Sequence, residues 1–117
     1  MLKDWPAAAA LGNNDVDRLS LLATAADLGI QMSEVREGVL DSTRVAVVHG
    51  HHRPTLMQAV RSGLYDLIVT GHSHRLRDER VGSTRVANPG ALYRAARYTC
   101  AVLNTGSGVL EIIPVPK

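Results

Sequence analysis

The segment Val45-Ala46-Val47-Val48-His49-Gly50-His51-His52 decides the fold. Four apolar residues in a row, three of them β-branched, read as a strand buried on both faces, as inside a parallel sheet. The run stops in glycine and histidine. Further on the pattern returns, when Asp66-Leu67-Ile68-Val69-Thr70 runs into Gly71-His72-Ser73-His74. Between the two, Pro54 suits the first turn of a helix, Leu56, Met57 and Val60 give that helix an apolar face, and Gly63 stops it. Strand, helix and strand in this order predict an α/β fold with parallel strands side by side.

Working outward, Val35 to Leu40 and Arg44 to Val48 flank the polar Asp41-Ser42-Thr43 and predict a β-hairpin. Earlier still, the short apolar run Ala7 to Leu11 is halted by Gly12-Asn13-Asn14-Asp15. Asp15 is placed to cap a helix carrying Val16, Leu19, Leu22 and Ala26, with Gly29 as its stop. Downstream, Arg75 to Arg80 and Thr84 to Ala87 around Gly82-Ser83 predict a second hairpin, polar enough to lie near a sheet edge. Asn88-Pro89-Gly90 reads as a loop that supports the site rather than supplying ligands. Tyr98 to Leu103 and Val109 to Ile113 form a last hairpin, in which Cys100 is expected to be a buried, inert thiol.

At 117 residues the chain is read as a single domain, residues 1–117. A net charge of +2, with no block of like charges, gives nucleic-acid binding no support beyond a possible substrate role. An aromatic content of 3%, with no phenylalanine, removes the stacking platforms of single-strand binders. No apolar window is long enough for a membrane span. The one cysteine cannot form an internal disulfide, which fits a reducing cytoplasm. The expectation is a soluble cytoplasmic domain with no membrane partner.

The chemistry is concentrated in the histidines. All five fall in two places, His49, His51 and His52 after one buried strand and His72 and His74 after the next. Open α/β sheets place their ligand sites at such strand ends. Asn13 follows a third apolar run in the same manner. Imidazole nitrogen with amide oxygen suits Mn, Zn, Fe, Ni or Co better than Mg or Ca. Arg75, Arg77 and Arg80 follow the second cluster, where they either meet a phosphate or guard an edge strand with charge.

Gly12-Asn13-Asn14-Asp15, Val48-His49-Gly50-His51-His52, Gly71-His72-Ser73-His74 and Asn88-Pro89-Gly90-Ala91 together resemble the ordered motifs of calcineurin-like metallophosphoesterases. The resemblance is to the YfcE-type small phosphodiesterase branch, itself similar to the retromer subunit vacuolar sorting protein 29. It implies a two-sheet sandwich with flanking helices. It implies that Asn13, His49 and His72 bind one metal ion, Mn before Zn, Ni, Fe or Co, and that His74 contributes to a second. His51 is implied near the site, either supporting the ligands from behind or contacting the substrate. The implied reaction is phosphodiester hydrolysis of a small-molecule substrate by a metal-activated hydroxide.

Asn14 stands where many members carry a histidine that assists the leaving group. An amide cannot act as a general acid near neutral pH, so diesters or activated substrates are expected over demanding monoesters. The family domain also opens with a strand ending in Asp-x-His and a later Gly-Asp. Lys3-Asp4-Trp5 is not such a motif, and neither is found in this sequence. The expectation is therefore a domain lacking the opening βαβ unit, short of carboxylate ligands, and completed by a homodimer or another partner. The alternative is a catalytically impaired metal-binding or protein-interaction module, resembling the retromer subunit in its scaffold role.

Overall fold

The structure is a computed structural model and describes residues 7–10, 23–26, 31–33 and 35–117. Its centre is a five-stranded sheet in the order β3-β4-β5-β7-β6. The strands are β3 (Val35–Leu40), β4 (Thr43–Val48), β5 (Leu67–Thr70), β6 (Arg77–Val81) and β7 (Thr84–Asn88). β4, β5 and β7 run parallel, whereas β3 and β6 pair antiparallel at the two edges. A short parallel pair, β1 (Ala8–Ala10) and β2 (Gln31–Ser33), lies beside β3. Antiparallel β8 (Tyr98–Leu103) and β9 (Leu110–Val115) make a separate two-stranded sheet.

The alternation along each strand explains the layers. Ala46 and Val48 of β4, Ile68 of β5 and Val86 of β7 point to one face and pack with Val60 of the helix α1 (Arg53–Ser62). Val45, Leu67 and Ala87 point to the other face, where Leu103 and Leu110 of the β8–β9 sheet cover them. Both faces of the parallel strands are therefore buried, and the molecule is a sheet-on-sheet sandwich flanked by a helix. Ile68 and Val86 are fully buried, and each such side chain contributes about 1.5–3 kcal/mol.

Several predicted boundaries shift. Asp41 and Ser42 alone make the first turn, with φ of 47° and 68°, and Thr43 joins β4. Positive φ at both central residues gives the right-handed strand twist that two-residue hairpins require. The second hairpin is placed as expected, but only β6 is an edge. β7 is interior, paired with β5 on one side and β6 on the other, so its Thr84, Val86 and Asn88 are buried while every residue of β6 is exposed.

Cys100 is exposed, which corrects the expectation of a buried thiol. It lies on the same face of β8 as Val102, away from the face carrying Thr99, Ala101 and Leu103. The apolar composition of β8 does not reveal that only one of its faces is covered. Residues 23–26 are helical, and there Ala25 is buried while Ala26, expected on the apolar face, is exposed. The rest of that helix, its proposed cap Asp15 and the stop Gly29 lie outside the described residues. β2 has no counterpart in the sequence pattern, since a three-residue strand leaves no periodic signal.

Candidate active site

The parallel strands end side by side, and their carboxyl ends carry the site. Register pairs Val48 with Thr70, so His49 emerges next to Gly71. The His49 carbonyl accepts the Gly71 N–H at 3.0 Å and the Thr70 hydroxyl at 3.2 Å, which locks the ends of β4 and β5 together. Gly50 then turns the chain with φ 96°, and a Cβ there would fall against Thr70 Oγ1. Glycine is required at this position by both conformation and space.

The Gly71-His72-Ser73-His74 loop is strained. His72 and His74 have φ of 65° and 60°, in the left-handed region that L side chains avoid. Ser73 N–H donates to the Gly71 carbonyl at 2.8 Å, closing a three-residue turn centred on His72. Asn88, 1% exposed at the end of β7, holds this turn from beneath. Its Nδ2 donates to the Gly71 carbonyl at 3.1 Å and to Ser73 Oγ at 3.2 Å, while its Oδ1 accepts the Gly90 N–H at 3.0 Å. Strain of this kind persists only where surrounding contacts fix it, and it concentrates at functional sites.

These constraints bring three imidazoles together. The ring of His49 lies 5.2 Å from that of His51 and 5.2 Å from that of His72, centroid to centroid, and His51 and His72 are 6.4 Å apart. His49 Nδ1 and His51 Nδ1 are 3.1 Å apart. That spacing is a hydrogen bond between the two imidazoles, while His49 and His72 present, from adjoining strand ends, the imidazole nitrogens that suit a divalent transition ion. The set is partial. Among the described residues, no group of three or more His, Cys, Asp or Glu side chains is gathered closely enough to hold an ion.

The remaining candidates divide. His74 stands apart from the three rings, with Nδ1 3.4 Å from the Arg94 carbonyl. His52 serves the helix: it is the N-cap of α1, and its Nδ1 is 2.7 Å from Thr55 Oγ1. Asn13 and Asn14 lie outside the described residues.

A family model, the calcineurin-like phosphoesterase superfamily domain, matches residues 1–108. The chain belongs to the calcineurin-like phosphoesterase superfamily.

Relatives and folds agree with that membership. The chain is 33% identical over 101 residues to a phosphodiesterase of Methanocaldococcus jannaschii, covering 83% of this chain and 61% of that protein. The chain thus spans about three fifths of that relative's length. A solved archaeal phosphodiesterase superposes with a TM-score of 0.86 at 29% identity, over 97% of this chain and 73% of that one. Vps29 of Chaetomium thermophilum shares the fold, with a TM-score of 0.61 at 14% identity over 91% of this chain and 65% of that one. Among the described residues, no helix is long and apolar enough to cross a membrane.

A cleft of 430 Å³ opens beside the rings, lined by His51, His72, Ser73 and Asn88. Its other wall is Arg53, Leu56 and Met57 of α1, together with Arg77. Of the arginines singled out in the sequence, Arg77 is the one that lines this cleft, and Arg75 and Arg80 do not. Arg53 was missed. Its position directly after the histidine cluster and before Pro54 was the available signal, since a helix entered there must present its first residue toward the strand ends.

Proposed function

We propose that this domain is a metal-dependent phosphodiesterase, in which His49 and His72, with Asn13, hold a divalent transition ion, Mn2+ first among the candidates. The observation that carries the reading is the convergence of the His49, His51 and His72 rings at adjoining strand ends in a member of a phosphoesterase superfamily. An ion bound there supplies Lewis-acid activation of water and neutralises charge on the phosphoryl oxygens. His49 and His72 orient that ion, and neutral imidazoles leave its positive charge available to an anion. His51 faces the cleft and contacts the substrate phosphoryl group. His74 serves a second ion position, and Asn14 stands beside the leaving group as a hydrogen-bonding amide that cannot deliver a proton near neutral pH. Diesters are accordingly the substrate class, and the setting is cytoplasmic.

The test compares bis-p-nitrophenyl phosphate with p-nitrophenyl phosphate under added Mn2+. Metal-dependent turnover favouring the diester supports the reading. Turnover favouring the monoester, or independent of metal, contradicts it.

A second reading, a catalytically impaired module that binds metal or a partner, is supported by the exposed apolar side chains Val102 and Val109 at the β8–β9 sheet. A homodimer or another completing chain would cover them. Mn2+ binding without turnover, together with self-association in sedimentation, favours this reading over catalysis.

A further inference from the structure

We propose that the cleft beside the histidines is a subsite for a second anionic group of the substrate, and that Arg53 is its specificity-determining residue. The inference rests on the phosphodiesterase reading and deepens it by naming the substrate class: a diester whose organic part carries a phosphate of its own.

The charge balance of the cleft carries the argument. Its cationic lining is Arg53 and Arg77, and no carboxylate lines it among the described residues. Arg77 is already engaged, through Nε and Nη2, by Glu79 of the same strand. Arg53 has no ion-pair partner among the described residues. It is also the first residue of α1, whose first turn contains no acid. A cation at that end of a helix opposes the backbone dipole, and an anion bound between them relieves the conflict. Arginine matches phosphate oxygens with a fork of donors, which makes it a selective partner for this group.

Size separates this cleft from a site for the reacting phosphoryl group alone. At 430 Å³ it falls in the range of pockets that take small organic ligands, about 300–1,000 Å³. Leu56 and Met57 add apolar lining to it, suited to the carbon skeleton joining two phosphates. The histidines thus take the reacting diester, the apolar wall takes the linker and Arg53 takes the distal phosphate.

The experiment has a binding arm and a kinetic arm, both on the 117-residue chain. Pyrophosphate is titrated calorimetrically into wild type, Arg53→Gln and Arg61→Gln. Arg61 lies in the last turn of the same helix and controls for general loss of charge. The expected result is about tenfold weaker binding for Arg53→Gln, the size of a charge-assisted hydrogen bond, with Arg61→Gln unchanged. In the kinetic arm, the 5′-(p-nitrophenyl phosphate) of thymidine is compared with its 3′-phosphorylated form. Arg53→Gln should lower kcat/KM for the phosphorylated diester alone. Unchanged pyrophosphate affinity in Arg53→Gln, or equal kinetic losses on both diesters, would overturn the subsite. A wild-type chain that binds pyrophosphate through Arg53 yet hydrolyses neither diester leaves the subsite standing and rejects the phosphodiesterase reading instead.

Discussion

Asn88 donates its side-chain N–H to the Gly71 carbonyl at 3.1 Å, so the end of one buried strand fixes the loop that follows another. Asn88→Ala deprives the Gly71 carbonyl and Ser73 Oγ of a shared donor in a buried setting. We expect a loss of about 1–3 kcal/mol, read as a lower urea midpoint at unchanged slope. Asn88→Asp should fail similarly at neutral pH, because an ionised carboxylate still accepts from Gly90 N–H but cannot donate to Gly71.

Gly50 offers a sharper test of how β4 is tied to β5. Gly50→Ala forces a side chain into the left-handed region and against Thr70 Oγ1, and should cost about 1–3 kcal/mol. Adding Thr70→Ala relieves the collision but not the backbone strain, so a double-mutant cycle should show partial, favourable coupling. Strict additivity would mean the two positions do not meet.

Acid stability should carry the signature of the Arg44–Asp66 ion pair. Arg44 donates to Asp66 from its backbone N–H at 2.9 Å and from its guanidinium at 2.9 and 3.2 Å. The guanidinium bonds, with help from the backbone, hold the Asp66 carboxyl down at about 2. A carboxylate depressed in the folded state adds stability that is fully present above its ordinary value of 3.8 and is lost as pH falls through about 2. Asp66→Asn should therefore narrow its Tm deficit against wild type as pH drops across that window. Both groups are exposed, so about 1 M salt should shrink the effect by screening.

Cys100 should react. Its exposure on the open face of β8 predicts that native and urea-unfolded protein are alkylated by iodoacetamide at similar rates. Cys100→Ser should leave stability within about 0.5 kcal/mol. Strong native-state protection would mean that this face is covered in solution.

Cys100 also marks where reading the sequence stops working. The parallel strands were legible because burial on both faces leaves an unbroken apolar run, as in Val45 to Val48 and Leu67 to Val69. The histidines were legible because each cluster follows such a run beside a glycine. β8 has the same apolar character, yet one of its faces is open, and composition does not record which neighbour is present. β7 lies beside the edge strand β6, yet its polar Thr84 and Asn88 are buried, with Thr84 Oγ1 donating to the Tyr65 carbonyl at 2.9 Å, and composition does not record that either. Arg53 lay hidden for a third reason, since a cleft is made by distant segments that only the fold brings together.

The central claim is that the imidazoles at the ends of β4 and β5 support metal-dependent hydrolysis of phosphodiesters. The most direct measurement is Mn2+-dependent hydrolysis of bis-p-nitrophenyl phosphate by the 117-residue chain beside His72→Ala, with Tm measured for both. Alanine inherits the same left-handed backbone as His72, so the fold should persist while one imidazole is lost. The account predicts turnover that requires the metal in wild type and falls by at least about a hundredfold in His72→Ala, at a similar Tm. Equal turnover in the two proteins, or none in the folded, Mn2+-loaded wild type, would contradict it.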